Sequence, residues 1–394
     1  MNILFLSRWF PYPMNNGSKI RIYNLLRGLS QHHRVTLLSF ADQAEVSPDA
    51  PEVRAICSKV RVVPWREFDP RTLRARLGFL SPKPRSVVDT FSPEMAEAIM
   101  QALTEEKFDL IIASQLQMAA YAPYFGDAPT AFEEFEIGLF HDQAFSADGK
   151  IRLRRALTWF KLRLYLSQLL RRFRLVTMAS ERERGLLARN FPQERAKAAV
   201  IPNCLNVDEY EGIHAEKQAN TIIFSGPFKY RANYEAMTWF VGEVFPLILE
   251  QIPEAQLMIT GDHENLPLPS MRNVTLAGYV DDIKSLVASC TVSIAPLLSG
   301  GGTRLKILEA MALGTPVVAT SKGAEGLEAQ AGEHLFVADS SSDFAEYVIK
   351  ILRDERLRLR LAENARRLVR EKYNWGSVLP AYLRLLDAVR SDIN

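Results

Sequence analysis

Apolar runs of strand length recur along this chain, separated by amphipathic stretches, and that alternation limits the folds open to it. The first half carries NILFLS, RVTLLSF, KVRVVPW, DLIIAS, PTAFEEF, LVTMAS and AAVIPN. The second carries NTIIFSG, AQLMITG, NVTLAG, TVSIAPL, PVVATS and HLFVAD. Between them lie helical patterns: Lys19–Gln31, with Ile20, Tyr23, Leu26 and Leu29 on one side, then Asn233–Glu250 and Asp281–Ala288. Apolar strands alternating with helices are what parallel sheets covered on both faces require. Two such sets predict an α/β protein of two doubly wound domains.

The length of 394 residues fits that reading, being too long for one ordinary core. The polar stretch 201–220, with Pro202 and Gly212, marks the boundary. We therefore expect a first domain over 1–203 and a second over 204–374. A last helix, about 375–394, is free to pack on either, including back on the first. Ligands of doubly wound domains bind at the carboxyl ends of the strands. Two domains facing each other there would form a cleft.

Charged residues make up 24% of the chain, and no apolar run reaches the roughly 18 residues of a membrane span. MNILFLS is short, lacks a basic leader and runs into Arg8, so it reads as a first strand and not a signal peptide. Cys57, Cys204 and Cys290 are odd in number and far apart, which suits a reducing, cytoplasmic setting and no zinc site. Net charge is +2 but uneven: residues 1–200 hold 29 basic and 21 acidic side chains, and 201–394 hold 19 and 25. Two units with different partners are implied.

The stretch SGGGTRLKILEAMALGTPVVAT, from Ser299 to Thr320, carries the chemistry. It reads as a helix entered through Gly300, Gly301 and Gly302 and left at Gly314, with Pro316 beyond. Glycines let backbone N–H groups approach a ligand, and a helix start suits an anion. Arg304 and Lys306 in the first turn oppose the helix dipole, and a bound phosphate would compensate them. Gly302, Lys306 and Glu309 share one face, beside an apolar strip of Leu305, Leu308 and Ala312. A nucleoside diphosphate matches this pattern, with its ribose hydroxyls donating to Glu309. The alternative is a glycine-rich loop before an ordinary helix with a Lys–Glu pair.

EAMALGTPVVAT closely resembles the nucleotide-sugar-binding core of the GT4-type, group 1 glycosyltransferases, whose architecture is GT-B. MNILFLSRWFPYPMNNGSKIRIYNLLRGLS resembles that family's first strand, glycine loop and helix. VIPNCLNVDEY resembles its linker, and IIFSGPFKYRANYEAMTWF the opening of its second domain. The likeness is strongest over 222–327 and weak between about 40 and 180. It implies that Glu309 contacts the donor ribose. The diphosphate would be held by the Gly301–Gly302–Thr303 turn, Ser225, Gly226, Arg304 and Lys306, with Lys229 and Gly17 as further contacts. Where the family's E-x7-E motif has its first glutamate, this chain has Gly301, as in the subgroup reading GGGTRLKILEA. The resemblance implies a retaining transfer that needs no metal or other cofactor, the cations and the helix dipole neutralising the leaving group. Domain closure would exclude water.

On the acceptor side the family's histidine has no clear counterpart; Ser114 and Gln115 stand near its place. His141 is a candidate acid/base, and Glu134 and Glu136, beside Glu133, are candidates for orienting an acceptor hydroxyl. The segment 150–174, KIRLRRALTWFKLRLYLSQLLRRFR, has nine basic residues and no acidic one, with aromatics interleaved. Residues 71–86 echo it. Such a segment suits peripheral contact with the inner face of an anionic membrane, or is a packing helix with a solvated basic face. No nucleic-acid-binding signature is present. The reading is a glycosyltransferase moving sugar from a nucleotide-diphosphate sugar to a glycan or lipid-linked acceptor in polysaccharide or cell-envelope synthesis. The rivals are a nucleotide-sugar epimerase of GT-B shape and a non-catalytic scaffold on the same fold.

Overall fold

The computed structural model describes the chain except residues 42–45, 146–148, 264–265, 269–270, 302–303 and 392–394; side chains of 149–154 and 391 are likewise outside the description. The chain divides into two compact units, Met1–Pro202 together with the segment from Leu379 on, and Asn203–Val378. Each is built on one parallel sheet.

In unit 1 the strands are β1 (Asn2–Ser7), β2 (Arg34–Ala41), β3 (Lys59–Pro64), β4 (Leu110–Ser114), β5 (Thr130–Glu133), β6 (Leu175–Met178) and β7 (Ala198–Val200). Their order in the sheet is β3-β2-β1-β4-β5-β6-β7. In unit 2 they are β8 (Gln218–Ser225), β9 (Gln256–Thr260), β10 (Val274–Gly278), β11 (Cys290–Ala295), β12 (Val317–Ala319) and β13 (Phe336–Val337), ordered β10-β9-β8-β11-β12-β13. Each apolar run of the sequence is one of these strands. Central strands are buried throughout, as Ile3–Leu6 and Cys290–Ala295 show, because helices cover both faces. The edge strand β3 instead leaves Lys59 and Arg61 exposed, which blunts a free edge. In both sheets the order reverses between two central strands, β1 and β4 or β8 and β11, and opens a crevice at their carboxyl ends.

The pattern over Asn233–Glu250 predicts one helix. The structure has three pieces: Arg231–Trp239, a wide π turn over Phe240–Val244, and Phe245–Gln251. Pro246 supplies the reason, since it has no N–H for the preceding turn and its ring crowds that turn's carbonyl.

Of the helix Trp375–Ser391, the residues from Leu379 on belong to unit 1. Within unit 1, Leu379 lies against Gly28, where an added Cβ would sit 2.4 Å from a Leu379 methyl. Tyr382 and Leu386 are fully buried. Close by, Arg21 and Glu133 form a buried ion pair at 2.5 Å, and Ser114 Oγ donates to the same carboxylate. Glu133 thus ties the helix Gly17–Ser30 to β4 and β5.

Candidate nucleotide site and the family of the chain

Unit 2 gathers the glycine-rich stretch at its sheet reversal. The loops after β8 and β11 meet at the carboxyl ends of these neighbouring strands. The helix there begins later than its sequence suggests, spanning Leu305–Ala312 with Arg304 in the capping position. Glycines have little helical preference, so the run before Arg304 stays out of the helix. Gly302 and Thr303 lie outside the described residues. The fully buried face of the helix is Ile307, Leu308, Ala310 and Met311, and Leu305 and Ala312 of the expected strip pack, partly buried, against the same core. Thr315 N–H donates to the Ala310 carbonyl at 2.8 Å, and Gly314 takes φ 71° to end the helix.

Arg304 is only 7% exposed. Its Nη1 donates to the Gly301 carbonyl at 2.6 Å, while Nε and Nη2 have no hydrogen-bond partner among the described residues. Buried donors left unpaired are costly, and an anion would satisfy them. Lys306 lies two residues on. Its Nζ donates to Asn233 Oδ1 at 3.0 Å and stands 4.2 Å from the centroid of the Phe224 ring. Burial, with repulsion from Arg304, lowers the Lys306 ammonium to about 7, against the pull of Glu309. Among the described residues neither cation is in an ion pair. Two cations so held form a site short of negative charge.

Gly226 completes the cradle at the end of β8. Its φ of 142° is disfavoured for side-chain-bearing residues, and an added Cβ would lie 2.7 Å from Asn233 Nδ2 and 2.8 Å from Lys306 Nζ. Gly226→Ala is expected to cost about 1–3 kcal/mol of stability and to displace Lys306. Thermal melts with and without nucleotide check this: a variant with wild-type Tm and wild-type nucleotide shift would refute the packing argument.

Glu309 is one turn beyond Lys306, and its Oε1 accepts from the Tyr210 hydroxyl at 3.1 Å. Burial raises the Glu309 carboxyl above its ordinary value; Tyr210, Lys284 and Lys306 partly offset this. Ser225 ends β8, paired with Thr260 of β9. Lys229 is exposed, and Arg231 pairs with Glu235 at 2.7 Å on the surface. Asn233 and Tyr210 escaped sequence reasoning. Both lie in stretches that resemble the family, Asn233 in IIFSGPFKYRANYEAMTWF and Tyr210 at the end of VIPNCLNVDEY, but their partners are 73 and 99 residues away.

Unit 1 has its own cavity, of about 400 Å³, whose lining includes Arg8, Trp65, Tyr121, Gln115, Glu134 and Phe140. The Arg8 guanidinium lies 3.6 Å from the Trp65 ring centroid and pairs with Glu67 at 3.1 Å. Gln115 and Glu134, at the ends of β4 and β5, have φ of 68° and 58°. Left-handed backbone at non-glycine residues stores strain and tends to cluster at functional sites. Their side chains meet, Gln115 Nε2 donating to Glu134 Oε2 at 2.8 Å. Burial, with Glu133 alongside, raises Glu134 to about 7 against the pull of Arg21. Glu136 is exposed and also lines the cavity. His141 is packed between the rings of Phe145 and Trp159, at 4.7 and 5.5 Å, and is not part of the lining. Gly17 opens the helix Gly17–Ser30 in this unit, beside the capping residue Asn16.

Two parallel, doubly wound α/β units, one with a cationic helix-start cradle, define the GT-B class of fold. Residues 15–209 match the family described as Glycosyltransferase Family 4, and residues 219–354 match Glycosyl transferases group 1. The chain belongs to these family 4, group 1 glycosyltransferases. It is 30% identical over 218 residues to a phosphatidyl-myo-inositol mannosyltransferase of Mycobacterium leprae, covering 52% of this chain and 57% of that one. The chain thus spans little more than half the length of this curated relative. Among solved structures it resembles sucrose-phosphate synthase from Thermosynechococcus elongatus, with TM-score 0.71 and 16% identity over the whole of both chains. It also resembles Anabaena HepE in complex with UDP, with TM-score 0.67 and 17% identity over 98% of this chain and 100% of that one.

Proposed function

We propose that the protein transfers a sugar from a nucleotide-diphosphate sugar to a glycan or lipid-linked acceptor in cell-envelope or polysaccharide synthesis. The observation that carries this is the pair of cations at one helix start, Arg304 with two unpaired buried donors and Lys306 with a depressed pKa. The mannosyltransferase relative and the UDP-bound HepE support the same reading. Unit 2 holds the donor: Arg304 and Lys306 take the diphosphate and Glu309 the ribose. As the glycosidic bond to the diphosphate breaks, the two cations and the helix dipole stabilise the charge left on its oxygens. The transfer is retaining and needs no metal. The cavity in unit 1 takes the acceptor, with Glu134 orienting its hydroxyl, and favours transfer over epimerisation, which needs no second substrate. Peripheral contact with the inner face of the membrane through 150–174 belongs to the same reading.

Thermal stabilisation by UDP, GDP, ADP and dTDP, each with magnesium or with EDTA, tests the donor site. One nucleotide is expected to raise Tm equally in both buffers. No shift with any of them, followed by no heat in direct titration, would favour the scaffold. A shift seen only with magnesium would overturn the metal-independent part.

A further inference from the structure

The helix Gly149–Leu169 is apolar on two opposite sides. Trp159, Leu162, Leu166 and Leu169 are buried in the core of unit 1. Leu157, Phe160 and Leu164, at i, i+3 and i+7, form an outward stripe and are 61%, 59% and 52% exposed. A surface helix ordinarily turns its apolar stripe to the core and its polar face outward, so a second, outward apolar stripe stands out. Next to it, Leu73, Leu77, Phe79 and Leu80 are 72%, 56%, 63% and 88% exposed. Lys161 Nζ joins the two segments, donating to the carbonyls of Gly78 and Phe79 at 2.9 and 3.1 Å. Arg71, Arg76, Lys83, Arg155 and Arg163 are exposed around the patch.

We propose that Leu73–Leu80 and the outward stripe Leu157–Leu164 form one docking surface for an anionic lipid bilayer. This deepens the peripheral-membrane reading above and rests on it. Contiguous exposed apolar area of this kind marks an interaction site. Its cationic border selects the occupant: apolar side chains enter the acyl boundary while Arg and Lys meet anionic headgroups. Among the described residues no helix is long and apolar enough to cross a membrane, so the contact lies on the surface. Leu162 and Leu166 of the same helix line the unit 1 cavity. An acceptor anchored in the bilayer would therefore meet the cavity across the thickness of a single helix. The basic segment 150–174 supplies half of this surface; the other half comes from residues 73–80, nearly eighty positions earlier in the chain.

Vesicle co-sedimentation of the full chain tests the surface, using phosphatidylcholine with about one part in four phosphatidylglycerol, against phosphatidylcholine alone. Wild type is expected to bind the anionic vesicles and to lose binding at high salt. The variant Leu77→Glu/Leu80→Glu/Phe160→Glu changes only exposed positions and is expected to bind at least about tenfold more weakly. Its circular dichroism and nucleotide-induced Tm shift should match wild type. Equal sedimentation of the variant, or no sedimentation of wild type, would overturn the proposal. So would a wild-type dimer that the variant makes monomeric, without vesicle binding, since a second copy would then cover the patch. Absence of a nucleotide shift in wild type is a separate outcome: it would count against the donor site and leave the vesicle result standing.

Discussion

Lys306→Ala is expected to lower kcat by about 10²–10³-fold and to raise the KM for donor as well, because the same charge holds the diphosphate before and during transfer. The ammonium sits at the helix start, fixed by Asn233 and the Phe224 ring, and the proposed donor site puts leaving-group charge close to it. Its position is set before the donor arrives, so little reorganisation is needed. The depressed pKa gives a further signature. Burial and the neighbouring Arg304 push the free Lys306 ammonium down to about 7. A bound diphosphate favours the charged form and raises that value. Nucleotide affinity should be full below the free-enzyme pKa and fall by up to about tenfold per pH unit above it. It should level off once pH passes the raised value of the complex. Lys306→Arg should flatten this profile, because arginine stays charged. Calorimetric titration across pH reads it directly; a flat wild-type profile would remove Lys306 from the diphosphate site.

Glu309→Ala should weaken nucleotide binding by about 10–100-fold, the worth of charge-assisted hydrogen bonds to ribose hydroxyls. The carboxylate is already oriented by the Tyr210 hydroxyl, so Tyr210→Phe should produce a smaller loss of the same kind. A 2′,3′-dideoxy nucleotide separates the ribose role from a general loss of fold. It should bind weakly to wild type and lose little more on mutation. If the deoxy and ordinary nucleotides suffer equally from Glu309→Ala, the ribose contact is wrong.

The two sheets were legible in the sequence because apolar runs bounded by turn residues directly reflect strands buried on both faces. NILFLS and TVSIAPL needed no knowledge of their neighbours to be read as strands. The break at Phe240–Val244 was less legible, since its apolar pattern continues smoothly past Pro246. In the site, the helix and its charges could be read because Arg304, Lys306 and Glu309 lie within one short segment. Their environment could not. The Lys306–Asn233 hydrogen bond spans 73 residues and the Gln115–Glu134 contact joins the ends of separate strands. The burial that unpairs Arg304 and depresses Lys306 arises only when the loops after β8 and β11 come together.

The path of the last helix sets an order of events during synthesis. Unit 1 is translated first, yet part of its interior belongs to residues beyond Leu379. Until those residues leave the ribosome, Gly28 lacks its packing partner and the surroundings of the Arg21–Glu133 pair lack Tyr382. Unit 2 is contiguous over Asn203–Val378 and has no such dependence. The half emerging first from the ribosome is thus the half that finishes last, and a nascent chain stalled before Leu379 would carry a completed unit 2 and an unclosed unit 1.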